Sequence, residues 1–378
     1  MGEFFSERRP AAVLKHGILR RYLRVFASKT GSTSAGNRVA FLDGYSGPGE
    51  YEDGTPGSPM LAAETARILA NVRNLEGYYV ERDRDTFDHL CRVLATSGHT
   101  HRPFHGGVEE HLPEIMEGVA DSPLFAFFDP FGLPVPLEAL GQVGKDGNRA
   151  RTAATELLVN FTLPGLRRNA GHLTSTSSDP VYLKARSSIL DRLDATLGGG
   201  WWRDIWKEGS EDRETRIVLG YVKRLKAAGG GGWGHVVVPV ENRWDGPPVY
   251  CLIFLSRYPG ALWYFSEILS TSTEEFRAYS HSFHGMLDLD PLTDREARWI
   301  AAIEQNIRAR LAEGAFVIGN QIVSVFGDNF GFARSTHARA AIKNLCEQGV
   351  IRTEVYVKGK LMTEGKGDVQ GMTILPAD

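Results

Sequence analysis

Cysteine is scarce in this chain: 3 of its 378 residues are cysteine, and Cys91, Cys251 and Cys346 lie far apart in the sequence. Such scattered thiols exclude a disulfide framework and a cysteine-ligated zinc site, and they predict a reducing compartment. No apolar run approaches the ~18–20 residues of a membrane span. The N-terminal sequence also lacks the apolar core of a signal peptide. We therefore expect a cytoplasmic protein without a membrane partner.

The chain also lacks an excess of charge of either sign. Its 43 Lys and Arg residues nearly balance 46 Asp and Glu residues, for a net charge of -3. Overall charge therefore gives no argument for binding nucleic acid, and any such interface must be local. The hydrophobic share of 42% is ordinary for a globular protein, and the length predicts two or three domains.

Glycine is abundant, at 42 of 378 residues, and several glycines follow apolar runs that alternate with segments of helical periodicity. This alternation predicts an α/β fold with a parallel sheet. Two further strands, 235–240 and 249–255, flank a Trp-Asp-Gly-Pro-Pro turn and predict an antiparallel hairpin. A parallel sheet that ends in such a hairpin is the Rossmann-like layout of class I methyltransferases. The parallel strands are predicted at 39–42, 77–80, 102–104, 124–128 and 156–161, and a helical insertion at about 178–230.

The last part of the chain has a different pattern. Three helices are predicted at 293–311, 320–325 and 335–348, and two short strands follow at 351–357 and 372–375. This order is typical of a winged helix-turn-helix. We therefore predict a Rossmann-like domain over residues 1–289 and a winged helix over residues 290–378.

The first predicted strand runs into a glycine loop, Asp43-Gly44-Tyr45-Ser46-Gly47-Pro48-Gly49, which resembles the cofactor loop of methyltransferases. Gly44, Gly47 and Gly49 would let the backbone approach the methionine portion of S-adenosylmethionine, and Asp43 would meet its ammonium group. Glu81 ends the next strand, where an acid can hold ribose hydroxyls. A P-loop is excluded because no Gly-Lys-Ser/Thr follows. A nicotinamide cofactor, or a tight turn beside a solvated Glu81, stays an alternative.

A second motif, Asp129-Pro130-Phe131-Gly132, follows the most apolar strand. It resembles the Asp-Pro-Pro-Tyr box of amino-methyltransferases, in which the acid and a backbone carbonyl accept hydrogen bonds from the target amine and the aromatic ring stacks on the base. Asp129, Pro130 and Phe131 are therefore the catalytic candidates. The second proline is missing and the aromatic residue comes one place early, so the acceptor atom stays open. A structural turn at the strand end is the alternative.

The chain resembles the three-Cys-motif partner protein family over essentially its whole length. Four runs carry this resemblance: 15–19, 41–51, 53–59 and 128–132. The resemblance implies a radical-enzyme-like neighbour protein that carries the three cysteines. The N-terminal half, with Ala11-Ala12-Val13-Leu14-Lys15-His16, is also similar to the J-type ribosomal-RNA adenine-N6 methyltransferases. That similarity implies that His16 and Tyr45 contact the cofactor, that Glu81 holds the ribose, and that Asp129 is catalytic. It places Gly107 and Val108 at the turn beside the adenine.

Basic residues at two places indicate phosphate contacts: Arg167 and Arg168 after the fifth parallel strand, and Arg334, Arg339 and Lys343 at the third helix of the winged helix. A winged helix that packs against a partner or dimerises is the alternative. The histidines at 99, 101 and 105 have no ligand spacing, so no metal is expected.

The leading prediction is an S-adenosylmethionine-dependent methyltransferase with a nucleic-acid or nucleotide-like acceptor. The alternative is a non-catalytic or degenerate Rossmann and winged-helix protein that binds nucleic acid or the neighbour protein. The oligomeric state stays open.

Overall fold

A computed structural model describes residues 10–133, 135–145, 154–287, 290–357, 360–362 and 368–377. The described residues up to Ala12 and from Leu19 to Arg257 form one compact unit, and Val13–Ile18 and the residues from Tyr258 form a second. The predicted boundary between residues 289 and 290 adjoins residues 288 and 289, which lie outside the described residues, and it stays a prediction. None of the described helices is both long and apolar enough to cross a membrane.

The first unit is built on a 7-stranded sheet in the order β3-β2-β1-β4-β5-β7-β6. Strands β1 to β5 are parallel, β7 runs antiparallel to β5, and β6 runs antiparallel to β7. The predicted parallel sheet with a terminal antiparallel hairpin is confirmed. Its strands are β1 (Arg38–Asp43), β2 (Asn74–Glu81), β3 (His101–His105), β4 (Leu124–Phe128), β5 (Thr155–Thr162), β6 (Gly234–Glu241) and β7 (Pro248–Ser256).

Helices cover both faces of this sheet, which explains why its central strands are apolar at nearly every position. Successive side chains of a strand point to opposite faces. On β4, Leu124, Ala126 and Phe128 therefore join the core beneath the helices after β3, whereas Phe125 contacts Tyr22 of the first helix. The helices of this unit are α1 (Pro10–Thr30), apart from its segment Val13–Ile18, and α2 (Ser58–Leu69), α3 (Arg84–Ala95), α4 (Val108–Gly118), α5 (Leu137–Gly144), α6 (Leu163–Gly171), α7 (Pro180–Leu197), α8 (Trp202–Glu208) and α9 (Arg213–Ala228).

Helices α7 to α9 confirm the predicted helical insertion between the fifth strand and the hairpin. Trp202 and Trp206 are buried in the core of this unit, and the guanidinium of Arg213 lies 4.1 Å from the centroid of the Trp206 ring. The tryptophans therefore pack the insertion against the sheet, and the indole of Trp202 also donates a hydrogen bond to Asp194 on α7. Burial of such large rings contributes strongly to stability.

A carboxyl group is buried where α1 crosses the sheet. Tyr22 donates a hydrogen bond to Glu156 Oε2 (2.7 Å) and Ser256 donates one to Oε1 (2.9 Å). Burial raises the pKa of Glu156 to about 7, and the two hydrogen bonds only partly oppose this. The folded protein therefore favours the protonated acid across a range in which an unfolded chain has already lost the proton.

Glu156 should make the free energy of unfolding fall as the pH rises from about 4.5 to 7, because its folded pKa is raised above its unfolded value. The stability from this group is fully present below pH 4.5 and is lost as the pH passes about 7. We expect Glu156→Gln to match the wild type near pH 4.5 and to exceed it by about 3 kcal/mol at pH 8. Urea unfolding at three pH values measures this. The exposed Glu138→Gln is the control, and an equal pH dependence in all three proteins would contradict the prediction.

The second unit contains α10 (Pro259–Phe283), α11 (Leu292–Leu311), α12 (Ile322–Phe326) and α13 (Ser335–Glu347). Its 4-stranded sheet has the order β10-β9-β11-β8, formed by β8 (Phe316–Val317), β9 (Ile351–Val357), β10 (Lys360–Met362) and β11 (Met372–Pro376). The three last helices and β9 and β11 lie close to their predicted positions. Strands β8 and β10 and helix α10 were not predicted, and the winged helix stays a prediction.

Candidate functional site

The carboxyl ends of the parallel strands bring the sequence-predicted acids to one edge of the sheet. Asp43 ends β1, Glu81 ends β2, and Asp129 follows β4 directly. Strand β1 lies between β2 and β4, so the chain connections diverge here to opposite sides. Ligands of open α/β sheets bind at such a switch point, outside the carboxyl ends of the strands.

The glycine loop after β1 packs tightly onto β4. The amide of Gly44 donates a hydrogen bond to the carbonyl of Phe127 (2.9 Å). A Cβ on Gly44 would lie 2.7 Å from the Phe128 ring, so only glycine fits at this position. Gly47 and Gly49 have φ angles of 62° and 90°, which L-residues with side chains rarely adopt. The loop thus keeps its backbone amides close to the strand ends.

Asp43 is fully buried and holds the start of this loop. Its Oδ1 accepts a hydrogen bond from the Tyr45 amide (3.1 Å), and its backbone carbonyl accepts one from the Ser46 hydroxyl (3.1 Å). Asp43 therefore shapes the loop in this structure. Its predicted contact with the ammonium group of a cofactor stays a prediction.

Glu81 connects three segments of the edge. Its Oε2 accepts a hydrogen bond from the Gly47 amide (3.0 Å), and its Oε1 accepts one from the Asp83 amide (2.8 Å). The Glu81 carbonyl accepts a further bond from the Gly106 amide (3.0 Å). Each carboxylate oxygen has a second lone pair, so Glu81 can hold the loop and accept hydroxyl donors at the same time.

The predicted adenine turn forms the start of α4. Gly107 is the N-cap residue, and Val108 is buried. Burial, together with the nearby Glu109 carboxylate, raises the pKa of the Tyr45 hydroxyl well above its usual range. The Glu110 carboxylate lies against Gly106 and Gly107. Sequence reasoning missed these two acids, although they directly follow the predicted turn.

The Asp129 motif lies beside the loop, and its three residues differ in exposure. Pro130 is buried, whereas Phe131 is 62% exposed. Asn160 on β5 donates a hydrogen bond from Nδ2 to Asp129 Oδ1 (2.6 Å). Asn160 is the clearest omission of the sequence analysis. Its signal was an amide side chain inside the apolar run Leu157-Leu158-Val159-Asn160-Phe161.

His16 is buried on α1, within the segment Val13–Ile18 that groups with the second unit. Its predicted contact with the cofactor stays a prediction. His99 is buried beside Tyr79, with 3.0 Å between its Nε2 and the tyrosine oxygen, and burial lowers its pKa to about 4. Within the described ranges, no group of three or more His, Cys, Asp and Glu side chains is placed to hold a metal ion.

The basic candidates are divided between the two units. Arg167 on α6 makes a two-pronged ion pair with Glu214, with both hydrogen bonds 2.7 Å long. Glu214 therefore largely neutralises its charge, whereas the adjacent Arg168 is exposed. In the second unit Arg334 precedes α13, and Arg339 and Lys343 are exposed on it. The Lys343 ammonium lies 3.7 Å from Glu347, a surface pair of little energy.

The order of the strands and the antiparallel direction of β7 define the type of fold. This is the sheet of the class I methyltransferases. No protein-family model and no curated protein matches the chain.

Solved structures with some similarity include protein LPL1258 from Legionella pneumophila, of the family described as DUF519. It is 11% identical, with 73% of this chain and 91% of that one covered, at a TM-score of 0.39. Cofactor-bound Rv0187 from MTB is 13% identical over 66% of this chain and 91% of that one, at a TM-score of 0.29.

A third structure is geranyl diphosphate C-methyltransferase from Streptomyces coelicolor, in complex with Mg2+, geranyl diphosphate and S-adenosyl-L-homocysteine. It is 12% identical over 62% of this chain and 77% of that one, at a TM-score of 0.26. Similarities of this size carry no argument about function.

Proposed function

We propose that this protein is an S-adenosylmethionine-dependent methyltransferase. The observation that carries the proposal is the bond from the Gly47 amide to Glu81. It joins the loop after β1 to the acid that ends β2, at the edge where Asp129 follows β4. The antiparallel β7 distinguishes this sheet from the parallel dinucleotide-binding sheet, and this favours the methyltransferase over the nicotinamide alternative.

The residues present fit this cofactor. Asp43 and the glycine loop would hold its amino-acid portion, Glu81 its ribose hydroxyls, and the start of α4 its adenine. When bound, the cofactor supplies an electrophilic methyl group on its sulfonium. Asp129 would orient the acceptor by accepting a hydrogen bond from it and would stabilise the positive charge that develops on it. Such catalysis is mostly positioning.

We propose a nucleic-acid or nucleotide-like acceptor. The exposed ring of Phe131 beside Asp129 offers a stacking surface for a flat base. Arg168, Arg339 and Lys343 are exposed and support contacts with phosphate groups. Arg167 supports them less, because Glu214 neutralises it.

The test is transfer of a labelled methyl group from S-adenosylmethionine to mixed RNA and DNA, with filter binding across a salt series. We expect label in one pool and a binding slope of roughly -0.7 to -0.9 per phosphate contact against log salt. Reversing both Arg339 and Lys343 to glutamate should reduce nucleic-acid binding and leave the cofactor affinity unchanged.

The matched control is Lys184→Glu on α7, an exposed residue that should not affect binding. If the cofactor binds but neither pool takes label or binds at low salt, the acceptor is a small molecule or a protein. If neither the cofactor nor transfer is detected and nucleic acid still binds, the non-catalytic alternative is correct.

A further inference from the structure

Asn160 is buried, and one of its two side-chain polar atoms has no hydrogen-bond partner among the described residues. The residue is 6% exposed, and its Nδ2 donates to Asp129 Oδ1 at 2.6 Å. In the described part of the chain, its buried Oδ1 has no hydrogen-bond partner. Buried polar atoms are nearly always paired, so an unpaired amide oxygen beside a strand-end acid requires an explanation.

The chemistry of Asp129 fixes which way the Asn160 amide points. An ionised carboxylate only accepts hydrogen bonds, so the atom that faces Asp129 must be the NH₂ group. The amide oxygen is then the atom that faces away from Asp129. The orientation therefore follows from the partner and does not depend on telling nitrogen from oxygen.

Packing does not account for an asparagine here. Leu158, Val159 and Phe161, its neighbours on β5, are all buried, and asparagine is depleted in strands. A leucine would fill a similar volume without burying an amide oxygen that lacks a partner among the described residues. Unsatisfied polar groups in native proteins often belong to functional sites.

We infer that Asn160 is a positioning residue that holds the Asp129 carboxylate and presents its own Oδ1 to a hydrogen-bond donor of the acceptor substrate. This inference rests on the proposed function. The carboxylate and the amide oxygen are two acceptors that the Asn160 NH₂ group connects. These two oxygens can bind a substrate group that carries N–H donors. They cannot donate a hydrogen bond to a substrate group that has no N–H.

Sinefungin tests this without knowledge of the acceptor, because it carries a primary amine in place of the sulfonium methyl. S-adenosylhomocysteine has no group there and serves as the reference ligand. Calorimetry should show that Asn160→Leu lowers the affinity for sinefungin about tenfold or more, the expected effect of losing a hydrogen bond to a charged donor. The affinity for S-adenosylhomocysteine should change less than twofold.

Two further variants make the result specific. Asn160→Asp keeps an acceptor at this position but replaces the NH₂ donor with a carboxyl group that must share a proton with Asp129. It should therefore bind sinefungin more tightly than Asn160→Leu does. Thr155 lies at the opposite end of β5, and its buried hydroxyl also lacks a partner among the described residues. Thr155→Val removes this hydroxyl and should change neither affinity. Thermal melting of each variant verifies folding, and we expect Asn160→Leu to melt no lower than the wild type.

The outcomes are distinct. An unchanged ratio of the two affinities in Asn160→Leu overturns the role of Asn160, as does a wild type that binds both ligands equally. A parallel loss of both affinities would show that Asn160 only supports the fold of the edge, and it also overturns the inference. If the wild type binds neither ligand, the proposed function itself fails.

Discussion

Replacing Asp129 with asparagine should reduce the rate of methyl transfer by about 10²–10³-fold, the effect of removing one preorganised electrostatic group. Asparagine keeps an oxygen that can accept the bond from Asn160 Nδ2, now 2.6 Å long, so the side chain should stay in place. The negative charge and the second oxygen are lost. An NH₂ group then faces the hydrogen-bond donor of the methyl-accepting substrate. Cofactor affinity should change little, because Asp129 follows β4, whereas Glu81, the acid proposed to hold the ribose, ends β2.

Labelled-methyl transfer and calorimetry with S-adenosylhomocysteine, performed on the same preparation, separate these effects. Asp88→Asn on α3 is the matched control, since its exposed ion pair with Arg84 should contribute little. A variant at position 129 that transfers methyl groups at the normal rate would remove Asp129 from the chemistry. One that no longer binds the cofactor would make it a cofactor-binding residue.

Replacing Glu81 with glutamine should lower the affinity for S-adenosylhomocysteine about a hundredfold or more. Two ribose hydroxyls would lose a charged acceptor, and each such bond contributes about 1.5–3 kcal/mol. Part of the loss would come from the loop. The two carboxylate oxygens of Glu81 accept hydrogen bonds from the Gly47 and Asp83 amides, whereas glutamine has a single oxygen to accept them.

A ligand that lacks one ribose hydroxyl separates the two causes. In the wild type, the 2′-deoxy form of S-adenosylhomocysteine should bind more weakly than the parent compound, and in Glu81→Gln the two should bind alike. The control is Glu50→Gln, which removes a carboxylate directly after the glycine loop and should keep the preference for the ribose hydroxyl. If Glu81→Gln keeps the full preference, the ribose is held elsewhere and Glu81 only shapes the loop.

Local pattern predicted much of the sheet, because a buried parallel strand is a short apolar run that ends in a polar turn. Strand β4 matches its predicted bounds, and β2 extends three residues earlier than predicted, since Asn74–Glu76 have no apolar pattern. The hairpin was predictable from the Trp-Asp-Gly-Pro-Pro turn. Because parallel strands have their carboxyl ends at the same edge of a sheet, the predicted strands alone indicate that Asp43, Glu81 and Asp129 lie at one edge.

The sequence analysis did not predict elements whose residues are untypical of their secondary structure. Helix α10 contains Ser270-Thr271-Ser272-Thr273, which are weak helix formers, and tertiary burial of Ser270, Ser272 and Thr273 outweighs that tendency. Helix α4 contains Pro113, which removes a backbone donor and interrupts the helical pattern. Strand β8 has 2 residues, too few to show any alternation.

The contact between Asn160 and Asp129 was beyond sequence reasoning for a different reason. The two residues are 31 positions apart, and they meet because β4 and β5 are adjacent. The pattern identified both strands but gave no side-chain partner. The same holds for Tyr22 and Glu156, 134 positions apart.

The central claim is that the edge around Asp43, Glu81 and Asp129 holds S-adenosylmethionine, and calorimetric titration of the wild-type protein with S-adenosylhomocysteine tests it most directly, with NAD⁺ in parallel. We expect S-adenosylhomocysteine to bind at one site per chain and to stabilise the fold by about 2.7 kcal/mol at a hundredfold excess over its dissociation constant. NAD⁺ should give no binding heat. Binding of NAD⁺, or no heat and no stabilisation with S-adenosylhomocysteine at millimolar concentration, would contradict the claim.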